Sequence, residues 1–578
     1  MRQYMENRTI KWLYKVPGKH RAWVVILCAI QMLLGAFGVL YALLLKEIVD
    51  HAVAGEKTLF FRYIVFFLLL ELARILIISI NRRCTEYAKS TLENRFKSHF
   101  FENLLCGDYA RVTATHSGEW MNRLTNDTVV VSNSFVDILP NLLGMVVKMV
   151  GALFMILLID SFIALVLIPV GLVLGLLTHL IRKRLKRMHK AIQESDGKLR
   201  IFLQERIESL MIIKSFGMEK ESLSGGEAHM EDHKRARLKR NAFYVLANVG
   251  YLFTMNGMYI LGICYGGYGI LVGTLSYGSL MAVTQLITQL QSPIVNITGL
   301  IPKVFTMSAS AERLMEVETK SSEKISDADA KALSNEAASL YSKLQSIGME
   351  NVNFSYPTFD KNDGSSDKDT RLQVFHDFSL DIRKGEFVAF SGHSGCGKST
   401  VLKLLMCLYL PDQGTTYLRD ETGKRTLTSR DRVLFAYVPQ GNYLMSGSVR
   451  DIVSFSSPES RNDDARVRKA LEIACASGFV AEKEQGIDTV LGERGSGLSE
   501  GQMQRIAIAR AIFSERPILL LDEATSGLDE ETEKQLLKNL RTMTGKTVII
   551  VTHRHAVMDQ CDRVIEFESS VKETSTEE

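Results

Sequence analysis

A glycine-rich loop from Gly392 to Thr400 carries one lysine and two adjacent hydroxyl side chains, Ser399 and Thr400, and these residue types suit phosphate binding. The loop follows an apolar, strand-like run at Phe387 to Phe390 and opens a helical stretch at Val401. That strand–loop–helix context separates a P-loop from an ordinary glycine-rich turn. Backbone N–H groups and the helix N-terminus would face phosphate oxygens there. The sequence therefore predicts nucleotide binding.

Two side chains of the loop have distinct expected roles. Lys398 has the reach to contact the β- and γ-phosphates, and the hydroxyl of Ser399 is placed to bind Mg²⁺. We predict that bound ATP protects Cys396 from alkylation, the alternative being a shielded, unreactive thiol. The predicted phosphate-binding set is Gly392, Ser394, Gly395, Cys396, Gly397, Lys398, Ser399 and Thr400.

An acidic pair, Asp522 and Glu523, follows four apolar residues from Ile518 to Leu521. A carboxylate at the end of a strand can hold Mg²⁺ directly or through water, and its neighbour can polarise an attacking water. Such a pair alone is also a common helix N-terminus. Downstream of a P-loop it predicts a division into a metal ligand, Asp522, and a general base, Glu523.

The first half of the chain is apolar, in contrast to the charge-rich second half. Stretches long enough to cross a hydrocarbon core, about 20 residues each, occur near residues 22–46, 59–80, 135–158, 162–181, 243–271 and 278–302. The connections between them are alternately short and long. We predict six membrane spans, with the long segments 81–134 and 182–242 extending them as helices that break near Cys106–Tyr109 and Lys214–Glu219.

Basic residues concentrate in the long connections, as in Arg182 to Arg187 and Lys234 to Arg240. The short connections hold almost none, so the positive-inside rule puts the long segments and both termini in the cytoplasm. We expect a multi-pass protein of the cell inner membrane. The N-terminal apolar run is too long for a signal peptide and is interpreted as a retained first span; residues before it suit an interfacial helix or a flexible terminus.

Three ionisable residues fall inside predicted spans. Glu71 and Arg74 are one turn apart and could neutralise each other, and Lys148 lies midway along the third span. A structural ion pair and a snorkelling lysine are one interpretation. The other is a cavity lining for polar or charged cargo.

Composition excludes several classes of function. The eight cysteines are scattered without a C-x-x-C pair, which argues against a disulfide framework or a zinc site. The net charge is only +4, and the basic residues adjoin apolar spans without interleaved aromatics. Nucleic-acid binding is therefore not expected.

The segment Leu498-Ser499-Glu500-Gly501-Gln502, between the P-loop and the acidic pair, resembles the signature of ATP-binding cassette proteins. Six spans before one such head resemble a half-transporter of the exporter superfamily over nearly the whole chain. The implied fold is an α-helical six-span transmembrane domain with long cytoplasmic helical extensions, followed by an α/β P-loop ATPase domain. The expected boundaries are an interfacial segment at 1–21, transmembrane helices at 22–317, a linker at 318–346 and the head at 347–578.

The resemblance implies roles for further residues. Tyr356 matches an adenine-stacking aromatic, Gln440 a glutamine that senses Mg²⁺ and water, and His553 a histidine that senses the γ-phosphate. Gly492 to Gly495 resembles a loop in which Glu493 contacts the partner half. Ser526 to Asp529 resembles a dimer-contact loop. The resemblance also implies that residues outside the P-loop contact ATP, and that some of them contact the ATP bound by the other head. These residues are Tyr356, Ser499, Gly501, Gln502 and Asp529.

Two positions depart from the family pattern: Glu500 stands where glycine is usual, and Gly527 where alanine is usual. Neither removes a catalytic atom, but both could alter the ATPase rate.

The function implied is an ATP-hydrolysing exporter that dimerises, uses ATP and Mg²⁺, and moves an amphipathic substrate such as a lipid, drug or peptide by alternating access. A homodimer is expected, and pairing with a different half is the alternative. Competing functions are a nucleotide-gated channel, a regulatory membrane ATPase, a soluble mechanical ATPase and an importer permease.

Overall fold

The structure is a computed structural model that describes residues 2–318, 337–356, 372–441, 444–492, 495, 497–543 and 545–567. The chain forms two compact units. Unit 1 comprises Met1–Phe101 with Met121–Glu316, and unit 2 comprises Glu102–Trp120 with Val317–Glu578. Most of the expected linker, the polar insert at 361–370, Glu493 and the C-terminal tail lie outside the described residues.

Helices make up the chain as far as Met315. They are α1 Arg2–Lys15, α2 Ala22–Val53, α3 Lys57–Leu105, α4 Tyr109–Thr113, α5 Ser117–Asn122, α6 Thr128–Ile159, α7 Ser161–Glu208, α8 Leu210–Phe216, α9 Glu219–Val272 and α10 Tyr277–Met315. Each of the six predicted spans falls within one long helix. By length and composition, four segments of the described residues could cross a membrane: Gly18–Val53, Lys57–Leu105, Ser117–Ile159 and Glu219–Val272. The expected breaks are present between α3 and α4 and at Gly217, after α8.

Small residues let the helices of unit 1 approach closely. A Cβ atom added at Gly35 of α2 would lie 2.8 Å from the carbonyl oxygen of Gly144 on α6, so glycine is required there. Ala42, Ala152 and Ile156 are fully buried beside this contact, together with residues of α10. Because lipid tails are as apolar as the helices, burial of apolar surface does not drive apolar helices together in a membrane. Such helices associate through close packing at small side chains.

Ionisable groups of the spans have partners within unit 1. Arg74 Nη2 lies 3.0 Å from Glu71 Oε2, which confirms the ion pair expected from their spacing. Lys148 Nζ donates a hydrogen bond of 3.0 Å to the hydroxyl of Ser292 on α10. The three side chains are therefore hydrogen-bonded to groups of the same unit, which lowers the cost of placing charge in a span.

A buried carboxylate joins the N-terminal end of α6 to the C-terminal part of α10. Asp127 is 4% exposed and closes a π-helical turn, Arg123–Asp127, before α6. It accepts a hydrogen bond of 2.8 Å from Ser310 and a bidentate pair from Arg313, whose Nε lies 2.8 Å away. Arg123 donates in turn to the carbonyl of Arg313 at 2.8 Å. The network fixes the register between the two helices.

Unit 2 contains a parallel sheet and an antiparallel sheet. The parallel sheet has the order β11-β3-β10-β9-β6, and the antiparallel sheet has the order β2-β1-β4-β5; β7 and β8 form a small pair. The strands are β1 Leu344–Tyr356, β2 Leu372–Arg383, β3 Phe387–Gly392, β4 Gln413–Asp420, β5 Gly423–Thr426, β6 Phe435–Val438, β7 Gly447–Ser448, β8 Val490–Leu491, β9 Ile518–Asp522, β10 Thr547–Val551 and β11 Arg563–Phe567.

Helices of the head cover the parallel sheet. They are α11 Lys398–Leu405, α12 Val449–Val453, α13 Asp464–Ile473, α14 Ser477–Ala481, α15 Glu500–Phe513, α16 Glu530–Thr542 and α17 His555–Met558. The apolar strands β9 and β10 are buried throughout, as expected for central strands of a parallel sheet. Together these elements form the α/β head that the alternating pattern predicts.

The last part of the expected linker packs on the head. Residues 337–343 are helical, and β1 starts at Leu344. Tyr341 is buried in the core of the head, and its hydroxyl lies 2.9 Å from that of Thr547. The end of the expected linker therefore contains a short helix that packs on the sheet.

We predict that Asp127→Ala lowers the free energy of unfolding by about 2 kcal/mol, because Ser310 and Arg313 lose a buried anionic acceptor. Thermal unfolding of the purified chain measures this. Asp232→Ala, at an exposed position of α9, serves as the control and should leave the midpoint unchanged. Equal midpoints for the two variants would show that the network contributes no stability.

Candidate ATP site

The functional side chains predicted from sequence leave neighbouring strands at one edge of the parallel sheet. The P-loop follows β3, and His553 follows β10, which pairs with β3. Asp522 ends β9, the other neighbour of β10, and Gln440 lies two residues beyond β6, which pairs with β9. Because parallel strands end on the same side, the strand order brings these groups together.

The P-loop folds around its own lysine. Lys398 is 5% exposed, and its Nζ donates to the carbonyl oxygens of Gly392 at 2.7 Å and His393 at 2.8 Å. Gly397 has φ +101°, and a Cβ there would lie 2.6 Å from the ring of Phe375, so only glycine fits before α11. The Cys396 thiol is buried 3.6 Å from Lys398 Nζ, while Ser394 and Gly395 are exposed. The ammonium group is thus held inside the loop.

The carboxylate of Asp522 lies next to the P-loop, in contact with Ser399. Ser399 Oγ donates to Oδ1 at 2.8 Å, and the Tyr437 hydroxyl donates to Oδ2 at 3.0 Å. Burial raises the pKa of Asp522 above its ordinary value, and the two hydroxyl donors oppose that rise. Ser399 and Asp522, both predicted metal ligands, are therefore in direct contact.

Glu523 is flanked by two further predicted residues. Gln440 Nε2 donates to Oε2 at 2.7 Å, and His553 Nε2 lies 3.6 Å from Oε1. The backbone of Glu523 has φ +50°, a left-handed conformation that is strained for a non-glycine residue. Its carbonyl accepts from Ser526 N at 3.2 Å, which holds the turn. A carboxylate held in this way is suited to orient a water molecule.

An aromatic cluster connects Tyr356 to the α4 segment. The hydroxyl of Tyr356 lies 2.9 Å from that of Thr400, next to the P-loop. Its ring is edge-to-face with Tyr409, at 5.3 Å between centroids. Tyr409 in turn packs edge-to-face on Tyr109 of α4, at 5.7 Å, and its hydroxyl lies 3.4 Å from that of Thr113. Residues near the P-loop and residues that connect two long helices thus share one cluster.

The signature segment forms a separate cluster with the loop at Ser526 to Asp529. Ser499 caps α15, accepting from Gln502 N at 3.3 Å while Gln502 Oε1 accepts from Ser499 N at 3.0 Å. A Cβ at Gly501 would lie 2.4 Å from the carbonyl oxygen of Gly527. Asp529 caps the next helix by accepting from Thr532 N at 2.9 Å. These side chains organise helix N-termini, the backbone arrangement that favours anions.

The two departures from the family pattern lie against each other. A Cβ at position 527 would lie 3.2 Å from Glu500 Cγ and 3.2 Å from Gln504 Oε1, tighter than ordinary contact. Gly527 therefore leaves room for the Glu500 side chain. The unusual residue in the signature and the unusual residue in the loop compensate for each other.

Four residues at the site escaped the sequence analysis: Tyr409, Tyr437, Gln504 and Arg554. Gln504 is buried and links Ser526 Oγ, at 2.9 Å, with the backbone N–H of Gly527, at 2.9 Å. Arg554 donates to the carbonyls of Ser526 and Leu528 at 2.8 and 3.0 Å. The only sequence signal for them was proximity to motifs, as Tyr437 precedes Gln440 by three positions.

We predict that Tyr437→Phe moves the acidic limb of Mg²⁺-dependent ATPase activity to higher pH. Losing the hydroxyl donor disfavours the Asp522 carboxylate, so its pKa rises further and the metal-binding form is lost earlier as pH falls. A pH profile of kcat/KM measures the shift. Tyr417→Phe, which removes a hydroxyl that donates to Asp381 at 2.7 Å, is the matched control; an equal shift there would contradict the assignment.

We predict that Tyr409→Ala weakens ATP binding by roughly 3- to 10-fold, because Tyr356 loses its edge-to-face neighbour. Titration of the purified chain with a fluorescent ATP analogue measures the affinity. Tyr409→Phe keeps all ring contacts and should bind ATP as the unmodified chain does. If the alanine and phenylalanine variants behave alike, the ring packing has no part in nucleotide binding.

Two family models match the chain. The ABC transporter transmembrane region matches residues 24–294, and the ABC transporter ATP-binding model matches residues 375–526. The first runs from α2 into α10. The second runs from β2 through the P-loop and the signature to Ser526.

Relatives and a solved structure agree with these matches. An uncharacterised ABC transporter ATP-binding protein of Bacillus subtilis, YfiC, is 26% identical over 96% of this chain and 89% of its own length. The ATP-dependent lipid A-core flippase 1 of Colwellia psychrerythraea is 25% identical over 91% of this chain and 86% of its own.

The solved structure of a bacterial Atm1-family ABC exporter with ATP bound has the same fold. Its TM-score is 0.76 at 20% identity, covering 95% of this chain and 94% of the other. The order of a transmembrane helical region and an ATP-binding head in one chain is that of an exporter half. The chain belongs to the ATP-binding cassette exporters, as a half-transporter whose head is an ATPase.

Proposed function

We propose that two copies of this chain form an exporter that hydrolyses Mg²⁺·ATP to move an amphipathic substrate out of the cytoplasm or the inner leaflet. The observation that carries this proposal is the setting of Glu523, whose carboxylate lies 2.7 Å from Gln440 and 3.6 Å from His553. A base, a water-orienting amide and an imidazole for the γ-phosphate converge on one point. In the same chain they are joined to the long helices that contain the six predicted spans.

The P-loop residues would bind the phosphates, with Lys398 moving from its own loop carbonyls to the β- and γ-oxygens. The side-chain oxygens of Ser399, Asp522 and Gln440 are the hard ligands that Mg²⁺ prefers, and the contact of 2.8 Å between the first two fits a shared ion. When bound, that ion neutralises phosphate charge. Glu523 would then accept the proton of the attacking water, and the ring of Tyr356 would stack on adenine.

The signature cluster supports a dimer. Ser499, Gly501, Gln502 and Asp529 organise helix N-termini away from the hydrogen bonds that join the P-loop, Asp522 and Glu523 in the described residues. We propose that these residues close on the γ-phosphate held by the other head. Since one chain carries both halves of the composite site, a homodimer would have two competent sites; a partner of different sequence is the alternative.

Orientation follows from charge. The basic residues of segments 182–242 and 81–134 favour the cytoplasm, so we propose an inner-membrane protein with both termini cytoplasmic. The proposed functional boundaries are 1–21, 22–317, 318–346 and 347–578. ATP-driven closure of the heads would supply the energy that shifts the spans between inward-open and outward-facing states.

We predict that Glu523→Gln lowers steady-state ATP hydrolysis by about 100-fold or more while ATP binding is retained, because the general base is lost. In proteoliposomes, flux of a fluorescent amphiphile should fall in proportion. Glu531→Gln, an exposed position of α16, is the control. Flux that continues in Glu523→Gln with ATP bound would indicate a nucleotide-gated channel, and retained hydrolysis would overturn the base assignment.

A further inference from the structure

A polar cavity of about 460 Å³ lies among α2, α3 and α6 of unit 1. Its volume falls in the range of ligand-binding pockets. Apolar groups of Leu27, Val136 and Pro140 form part of the lining, and the rest is polar.

Most polar side chains of the lining are unused by the protein. Within the part of the chain that the structure describes, no hydrogen bond or ion pair engages the side chains of Gln31, Asn81, Arg82, Thr85 or Glu86, all of which line the cavity. The Oδ1 atom of Asn81 is buried without a partner. Since buried polar atoms in proteins are nearly always hydrogen-bonded, this atom points to a ligand that supplies the donor.

The backbone adds another acceptor. Pro140 lies inside α6 and has no N–H, so the carbonyl of Val136, four residues earlier, lacks its helical donor. Both residues line the cavity. The equivalent carbonyl of Asp137 is instead occupied by Asn141 Nδ2, at 2.7 Å.

Two opposite charges face the cavity one helical turn apart. Arg82 and Glu86 are separated by four residues on α3, with the cation N-terminal, which is the weaker orientation for a helical ion pair. They do not pair in this structure. The third charged lining residue, Asp137, is already neutralised by Lys89 at 2.9 Å and Lys303 at 3.4 Å. The available charges are therefore one guanidinium and one carboxylate, which match a zwitterion.

The depth of the cavity matches a lipid headgroup. Asn81 directly follows the second predicted span, 59–80, and Asp137 lies near the start of the third. With the termini cytoplasmic, both positions fall at the boundary between hydrocarbon and headgroups of the inner leaflet.

We propose that this cavity binds the phosphate–ammonium headgroup of a zwitterionic phospholipid from the inner leaflet. Arg82 pairs with the phosphate and Glu86 with the ammonium group, while Asn81 and the Val136 carbonyl accept hydrogen bonds from the ammonium. The site names a substrate class for the proposed exporter, and its role in export rests on that proposed function.

Lipid binding to the full-length chain tests the proposal. The probes are phosphatidylethanolamine and phosphatidylglycerol of identical acyl chains, with bound lipid counted by native mass spectrometry over a concentration series. Arg82→Gln should weaken binding of phosphatidylethanolamine about tenfold, because one charge-assisted contact is lost. Glu86→Gln should weaken binding of phosphatidylethanolamine to a similar extent and leave binding of phosphatidylglycerol unchanged.

Arg83→Gln is the matched control, since this neighbour on α3 does not line the cavity. Arg82→Lys keeps the positive charge and should retain most of the affinity, which separates a charge contact from a packing effect. Equal binding by the Arg82→Gln and Arg83→Gln variants would overturn the proposal. So would a loss of both lipids in Glu86→Gln.

Competition with soluble phosphoethanolamine distinguishes a membrane lipid from a free zwitterion as the ligand. Failure to displace the lipid at equal concentration supports a membrane lipid, and displacement at equal concentration overturns it in favour of a free zwitterion. Because binding needs no ATP turnover, it is separable from export. If the lipid binds but only other amphiphiles are moved by ATP, its role as a substrate is wrong. If no amphiphile is moved by ATP although the lipid binds, the proposed function is wrong, and ATP-driven flux of other amphiphiles without lipid binding would count against the cavity alone.

Discussion

The ATP site depends on the order of five strands. Because β10 lies between β3 and β9, and β6 lies beside β9, the P-loop, His553, the acidic pair and Gln440 leave the sheet at one edge. Every residue of β9 and β10 is buried, and all are apolar except Asp522 at the end of β9 and Thr547 at the start of β10, so the polar groups lie at the strand ends. The packing of the strands in the hydrophobic core thereby sets the spacing of the polar groups predicted to contact the nucleotide.

Burial at this edge has an electrostatic effect as well. Asp522 is held in a position that opposes its ionisation, and two hydroxyl groups partly restore the anionic form. Next to it, Glu523 accepts a strained backbone conformation and is tied by Gln440 and the turn at Ser526. Strain of this kind persists where the surrounding contacts fix it, as they do here on both sides of the residue.

Much of this arrangement is predictable from the sequence because it is written in short, contiguous runs. The P-loop, the acidic pair and the signature can each be recognised within ten consecutive residues. The apolar spans can be recognised by their length of about 20 apolar residues. Tyr409, Gln504 and Arg554 are different because their partners are distant in the chain and no local pattern marks them. The compensation between Glu500 and Gly527 is likewise invisible until the Cβ that glycine lacks is placed in space. Residues 337–343 form a helix that packs on the sheet through Tyr341, whose partner Thr547 is likewise distant in the chain.

Unit 2 is not continuous in sequence, since Glu102–Trp120 belongs to it while the rest begins at Val317. Thr113 and Tyr409, which lie in contact, are 296 residues apart. On a ribosome adding about 5–20 residues per second, the first would wait roughly 15–60 s for the second. During that interval Tyr109 and Thr113 of α4 lack their partner Tyr409, although the long helices on either side of α4 have already been synthesised. The assembly of this protein therefore includes a period in which Tyr109 and Thr113 of α4 lack the Tyr409 side chain against which they lie in the finished structure.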